Sequence, residues 1–336
     1  MSALDSLDIR TAALLVIDLQ NAFVHDQGTL GISGVDTKRL KSIVPVLSEL
    51  IPRCQAAGLP VVWTVQEHFA VDASRAKKRL SSHTAKRKQV SALAGSWDEE
   101  IVEELKPFAA ANPACVIRKH RFGAFHETRL EMLLKMLGTR TLFVAGTTTN
   151  ACVETSIREA YLRDYDVVAL EDCISGVNEG WETTAKQVWK QYFCEVSDSR
   201  TMGAWIEAQQ APRALGYGHM LMMVEDVPRS VAFYVDLLGF TVRPAKPLAD
   251  GRPFTAFHQG IALVGGKRAG ERQIDHMAFE VNDVRAIRDR LAKARVELQE
   301  DLHDGPYGLT IYATDPDGLR VELYEVGARM PASAAR

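Results

Sequence analysis

Short apolar runs alternate with amphipathic segments over the first two hundred residues, and that alternation restricts the fold more than any other feature. Ala12–Asp18 is apolar until it ends in an acid, so a strand there has both faces buried. Comparable runs occur at Pro60–Val65, Ala114–Arg118, Thr141–Ala145 and Asp166–Leu170. Between them, helical spacing covers Leu40–Ala57, Trp97–Lys106, Thr128–Leu137, Ala151–Arg163 and Glu182–Tyr192, with Gly58 and Gly138 as stop signals. Buried strands alternating with helices predict an α/β fold, a Rossmann-like parallel sheet with helices on both faces. In such a sheet, sites form at the C-terminal ends of strands.

A chain of 336 residues exceeds one ordinary core, so two domains are expected. Composition shifts around Gln209–Gly218, which sets the expected organisation: a first domain over 1–210, a linker over 211–217, a second domain over 218–328 and a tail over 329–336. The second domain contains an internal repeat. His219-Met-Leu-Met-Met-Val-Glu-Asp-Val227 returns as His276-Met-Ala-Phe-Glu-Val-Asn-Asp-Val284. Each copy is followed by a helical segment, Ser230–Leu238 or Arg285–Ala294, and then by short strand-like runs. Two copies predict a smaller α+β domain of two βαβββ repeats rather than a solenoid, which needs at least three.

Charge and composition narrow the partners. A net charge of −3 gives no reason to expect nucleic acid, and the basic cluster from Arg75 to Lys88 reads as a solvated face. No run approaches the roughly 20 apolar residues of a membrane span, and Met1–Arg10 lacks the apolar core of a secretory leader. Five cysteines, an odd number without CxxC spacing, read as reduced thiols. The expectation is a soluble, cytoplasmic protein acting on a small molecule.

Three chemically apt residues fall at strand ends. Asp18 closes the first strand, Lys119 follows Ala114–Arg118, and Cys152 stands past a Gly-Thr turn after Thr141–Ala145. A carboxylate can take a thiol proton and later return it to a leaving amine. An ammonium lowers a thiol pKa and holds the carboxylate, and a helix start favours thiolate and can cradle an oxyanion. Cys54, Cys115, Cys173 and Cys194 read instead as small core residues.

The motifs around those residues resemble the isochorismatase-like cysteine hydrolases over about Thr11 to Ala204. The matching segments are "LLVIDLQNAF" with Asp18, "IRKHRFGAF" with Lys119, "GTTTNACVETSIREA" with Cys152 and "VALEDCISG" from Val168. The resemblance implies a catalytic triad of Asp18, Lys119 and Cys152. It also implies a cis peptide at Thr147-Thr148 that aims the N–H groups of Thr148 and Cys152 into an oxyanion hole. True isochorismatases cleave a vinyl ether and lack the cysteine. Cys152 therefore implies cleavage of a small carboxamide or ureide C–N bond through a thioester, with no cofactor required by this domain. The implied pocket is lined by Phe23, His68, Phe122, Phe125, Gln191 and Tyr192. Glu67-His68 falls short of the metal cluster of nicotinamidases, while Glu67–Trp97, with Arg75, Arg79 and His83, resembles the lid region of ureide-type amidohydrolases. Family analogy also makes a homo-oligomer the default expectation.

The repeat domain resembles the vicinal oxygen chelate superfamily, which includes glyoxalase I and extradiol dioxygenases. The resemblance rests on the paired His-Met strand starts, "SVAFYVDLLGF" from Ser230 and "TDPDGLRVELYEV" from Thr314. It implies a divalent metal (Fe, Mn or Zn) on His219, His276 and Glu322, with Tyr312 as an acid/base. Glyoxalase I has a fourth, carboxylate ligand in the first repeat. Phe257–Gly266 has no acid, only His258 and Gln259 as stand-ins. Two readings of this domain stay open: a metal-dependent dioxygenase or lyase, and a small-molecule-binding module without metal.

Overall fold

The computed structural model describes residues 3–72, 88–245, 248, 250–266, 274–316 and 318–330. Arg75, Arg79 and His83 lie outside these residues, as does the basic cluster apart from Lys88. The chain divides into two compact units, Met1–Gln210 and Ala211–Arg336.

The first unit is built on six strands: β1 (Ala12–Ile17), β2 (Val61–Gln66), β3 (Val116–Lys119), β4 (Thr141–Thr147), β5 (Asp166–Ser175) and β6 (Glu195–Ser197). Their order is β3-β2-β1-β4-β5-β6, and every pairing is parallel. All six residues of β1 are buried, as an uninterrupted apolar run requires. Leu14 and Val16 enter a core with the helices Ile43–Ala56 and Ser199–Gln210. Ala13, Leu15 and Ile17 enter the opposite core with Leu130–Met136, Glu154–Tyr161 and Glu179–Tyr192. The chain order reverses between β1 and β4, which opens a crevice at their C-terminal ends.

One expected helix does not form. Across Trp97–Lys106 there is only a 3₁₀ turn, Trp97–Glu99, before a short helix at Lys106–Ala110. The intervening backbone pairs with the segment after β1 instead: Asn21 donates to the Glu100 carbonyl and Val102 to that of Leu19, at 2.9 and 3.0 Å. The Asp98 carboxylate is taken by Thr29 and the Ala92 N–H. Tertiary hydrogen bonds here outweigh helical spacing.

The second unit is one eight-stranded sheet. Its strands are β7 (Ala214–Val224), β8 (Val242–Arg243), β9 (Phe254–Phe257), β10 (Ile261–Gly265), β11 (Ile274–Val281), β12 (Leu298–Asp304), β13 (Gly308–Thr314) and β14 (Arg320–Val326). β7 begins at Ala214, inside the segment expected as linker. The order β12-β13-β14-β11-β7-β10-β9-β8 is symmetric about the central antiparallel pair β7–β11. Each half is a βαβββ unit with its helix at Val227–Ala232 or Val284–Lys293. The repeated Asp of the sequence motif explains both helix starts: Asp226 accepts the Arg229 N–H and Asp283 the Ala286 N–H, as N-caps.

Candidate active site and candidate metal centre

The crevice at the β1/β4 reversal gathers Asp18, Lys119 and Cys152, all buried. Asp18 follows β1 with φ 52°, a left-handed conformation uncommon for a residue with a side chain. On the neighbouring strand β4, Gly146 pairs with Ile17 and has φ 121°, and a Cβ there would meet the Ile17 carbonyl oxygen at 2.1 Å. Glycine thus allows β4 to approach β1 where the site begins. Beyond β4 the Thr147-Thr148 peptide is cis, and Cys152 sits in a π-helical turn, Thr149–Val153, rather than in the first turn of an α-helix.

β3 is not adjacent to β1, because β2 lies between them. Lys119 spans that gap. Its Nζ lies 2.6 Å from Asp18 Oδ2 and donates to Gln66 Oε1, at the end of β2, at 2.8 Å. Asp18 Oδ1 accepts the Thr64 hydroxyl at 2.6 Å. The Gln66 amide then orders a chain of partners. Its Nε2 faces His68 Nε2 at 3.2 Å, and His68 Nδ1 faces the Ser91 carbonyl at 2.7 Å. A carbonyl partner assigns the proton to Nδ1, leaving Nε2 to accept from Gln66. Gln20 locks the same segment by accepting the Gln66 N–H and donating to its carbonyl.

Electrostatics depart from the expectation of an acidified thiol. Burial, reinforced by the Asp18 charge, pushes the Cys152 thiol up to about 12, and Lys119 only partly opposes this. Burial also disfavours the Lys119 ammonium, but Asp18 and Cys152 outweigh it and hold its pKa above the usual lysine value. The free site thus pairs a neutral thiol with a buried ammonium–carboxylate pair. Proton transfer, rather than a standing thiolate, is the chemistry this arrangement can perform.

A cavity of about 520 Å³ opens on Cys152 and Asp18. Phe23, His68, Phe122, Thr147 and Thr148 line it, as do Leu30, Gln66, Asn150 and Trp181, which sequence reasoning missed. Trp181 is held at the rim by its carbonyl, which accepts from Asn150 Nδ2 at 3.0 Å. Three expected lining residues stand elsewhere. Phe125 is buried against Tyr165, with its ring centroid 5.8 Å away, under the Arg163 guanidinium. Gln191 and Tyr192 are exposed at the end of their helix, and Tyr192 packs on Phe193. A separate cavity of about 440 Å³, lined by Asn21, His25, Lys41 and Trp97, contains none of the three central residues.

In the second unit, strand register brings His219, His276 and Glu322 onto one face. Ala278, two residues after His276 on β11, pairs with both His219 and Glu322. His276 Nε2 lies 2.9 Å from Glu322 Oε2 and 3.4 Å from His219 Nε2. His276 Nδ1 is bonded to Asp275 Oδ2 at 2.7 Å, a contact that fixes the orientation of its ring. Glu322 Oε1 is buried without a hydrogen bond among the described residues, and one donor atom from each residue lies within 4.8 Å of the others. Two imidazoles, a carboxylate and an orphaned buried oxygen fit a divalent cation. Among the described residues no other group of three such donors forms, including around Glu67-His68. Glu67 is instead paired with Arg118 at 2.9 Å.

Burial lowers the His219 pKa against the pull of Glu322. Burial also works against charged His276, but Asp275 and Glu322 outweigh it and raise that pKa. Tyr312 stands 5.4 Å from the His276 ring, under the Arg320 guanidinium, and burial pushes its phenol above the usual value. The pseudo-symmetric counterpart of Glu322 on β10 is Ala262, which pairs with Leu221, two residues after His219. His258 and Gln259 lie exposed in the β9–β10 turn, bonded to Thr241. Neither stands in for a fourth ligand.

Comparison with known proteins agrees with this architecture. The Isochorismatase domain family matches residues 12–201, and the Glyoxalase/Bleomycin resistance protein/Dioxygenase superfamily matches residues 216–323. The chain is 30% identical to the ureidoacrylate amidohydrolase RutB of Acinetobacter baylyi over 202 residues, 56% of this chain and 81% of that protein. An isochorismatase family protein from Desulfovibrio vulgaris is 30% identical, with a TM-score of 0.51, over 59% of this chain and 99% of its own. A cysteine hydrolase from Pseudomonas syringae pv. phaseolicola, 22% identical, has the same fold at a TM-score of 0.51 over 60% of this chain and 95% of its own. The chain belongs to the isochorismatase family, and a domain of the glyoxalase/bleomycin resistance protein/dioxygenase superfamily follows in the same polypeptide.

Proposed function

We propose that the first unit hydrolyses a small carboxamide or ureide C–N bond, with Cys152 as nucleophile, Asp18 as proton carrier and Lys119 as the cation that holds Asp18. The observation that carries this reading is the buried contact of Lys119 with Asp18 at 2.6 Å beside a thiol that opens on the 520 Å³ cavity. The 30% identical relative being an amidohydrolase supports the same reaction class.

In the first half-reaction, Cys152 Sγ bonds to the substrate carbonyl carbon as the thiol proton passes to Asp18. The carbonyl oxygen becomes an oxyanion, held by the N–H groups of Thr148 and Cys152. Collapse breaks the C–N bond, Asp18 returns the proton to nitrogen, and the amine leaves a thioester behind. Water then attacks the thioester, giving its proton to Asp18. The C–S bond breaks and the thiol takes the proton back. Lys119 stays an ammonium throughout, which matches its raised pKa.

The cavity receives a small substrate between Phe23, Phe122 and Trp181, with Gln66, His68 and Asn150 as polar contacts. An ammonia-release assay across primary amides, ureides and maleamate-like acids tests the reading. Release abolished by iodoacetamide and untouched by chelator is expected. Absence of release from every such substrate would overturn it.

In the second unit, His219, His276 and Glu322 would hold a divalent cation, which would supply Lewis acidity to a ligand oxygen there. Asp275 orients His276, and Tyr312 holds a proton beside it. The buried, unbonded Glu322 Oε1 supports this over a metal-free module. A protein made by such a chain works as a homo-oligomer on small molecules.

A further inference from the structure

The face that carries His219, His276 and Glu322 also carries an arginine that has no acidic partner among the described residues. Strand register runs in one row from Arg243 through Ala256, Ala262 and Leu221 to His276. Residues paired across neighbouring strands project to the same face, so Arg243 shares the face of the histidines. Laid flat, β8 would stand three strand spacings from β7, about 14 Å. Side chains bridge that distance. Arg243 Nη2 donates to the Tyr307 hydroxyl at 3.0 Å, and the Tyr307 ring centroid lies 5.2 Å from that of His219. Tyr307 also packs on Tyr324 at 5.3 Å, which fixes the ring from its other side.

Arg243 is half-buried, and among the described residues no carboxylate lies within 4 Å of it. Some arginines on this unit have such partners: Arg288 pairs with Asp301, and Arg320 with Glu300 and Asp275. A half-buried guanidinium tethered only by a neutral phenol retains most of its capacity to grip an anion. Its neighbour across one tyrosine ring is the two-histidine, one-carboxylate group.

We propose that Arg243, tethered by Tyr307, is the anion anchor of a ligand site on this face, and that the ligand is a small organic carboxylate. The carboxylate pairs with the guanidinium, and the far end of the molecule reaches the group of His219, His276 and Glu322. The single ring between anchor and triad limits the ligand to a few carbon atoms. This inference rests in part on the metal reading above, because a cation offsets the charge of Glu322 toward an anionic ligand. A neutral diol would use the triad without needing Arg243.

Oxalate, the smallest chelating dicarboxylate, and catechol, a neutral chelator, serve as probes on the full chain. Manganese(II) uptake is measured first, by the loss of the free-ion paramagnetic signal. Calorimetric titration then follows on wild type, Arg243→Gln, Arg243→Lys and Tyr307→Phe. Removing a charge-assisted pair predicts at least tenfold weaker oxalate binding in Arg243→Gln, with manganese and catechol binding unchanged. Arg243→Lys and Tyr307→Phe fall between. Unaltered manganese binding certifies that the unit is folded. Oxalate binding equal to wild type in Arg243→Gln would overturn the proposal. Should the chain take up no manganese, the metal reading fails on its own, and oxalate titrated into metal-free protein decides. Arg243-dependent binding there still supports the anchor, and its absence overturns it.

Discussion

Replacing Lys119 by methionine strips the counter-charge from a carboxylate that has no other charged partner among the described residues. Asp18 and Lys119 are both 0% exposed, and their charged atoms lie 2.6 Å apart. Thr64 satisfies only Oδ1, and among the described residues Lys119 is the one charged partner of Oδ2. Gln66 Oε1 and the Arg121 carbonyl lose their donor as well. Breaking a buried pair by removing one partner costs about 3–5 kcal/mol. Set against net stabilities of about 5–15 kcal/mol, that is a large fraction. At about 2–4 °C per kcal/mol for a unit of this size, the melting point falls by roughly 6–20 °C. Asp18→Asn with Lys119→Met removes both charges, so the double variant should be more stable than Lys119→Met alone. All five tryptophans, Trp63, Trp97, Trp181, Trp189 and Trp205, lie within Met1–Gln210. Urea unfolding followed by tryptophan fluorescence therefore reports on this unit. A loss below about 1 kcal/mol in Lys119→Met, the ceiling for an exposed pair, would refute the reasoning. So would a double variant as unstable as the two singles summed.

Three further outcomes are expected. Because the free Cys152 thiol is held up near about 12, its alkylation by iodoacetamide should rise about tenfold per pH unit from 7 to 9; a plateau within that range would contradict the buried-thiol description. Trp181→Ala should raise KM several-fold with a stability change within about 0.5 kcal/mol, since the side chain is 61% exposed at the cavity rim; an unchanged KM would remove Trp181 from the binding surface. His276→Ala should abolish metal uptake, measured by elemental analysis, and leave ammonia release intact; loss of hydrolysis on chelation alone would tie the metal to the amide chemistry.

What could be read from the chain follows from where periodic patterning exists. β1 is fully apolar, which is enough to predict a strand of a parallel sheet with both faces buried. The repeated His-Met and Asp-Val elements mark two βαβββ repeats, while the capping role of Asp226 and Asp283 emerges only in the folded chain. Loops carry no such period. Leu30, Asn150 and Trp181 reach the cavity from turns and a helix start, positions fixed only by tertiary closure. Phe125 lies three residues from Phe122, yet that spacing does not settle which side of the chain faces a cavity, and its ring enters the core against Tyr165. Gln66 ends an ordinary apolar strand; its importance emerges only because β2 intervenes between Lys119 and Asp18. The thiol pKa was misjudged for a related reason. A helix start and an ammonium both argue for thiolate, but the degree of burial, which dominates, belongs to the folded chain.

The central claim is that Cys152 carries the acyl group. Acid-quenched samples taken during turnover of a primary amide, digested and analysed by mass spectrometry, test it directly. The expected result is an acyl mass increment on the peptide containing Cys152, lost together with ammonia release in Cys152→Ala. Sustained amide hydrolysis by Cys152→Ala, or an increment confined to another cysteine, would contradict the account.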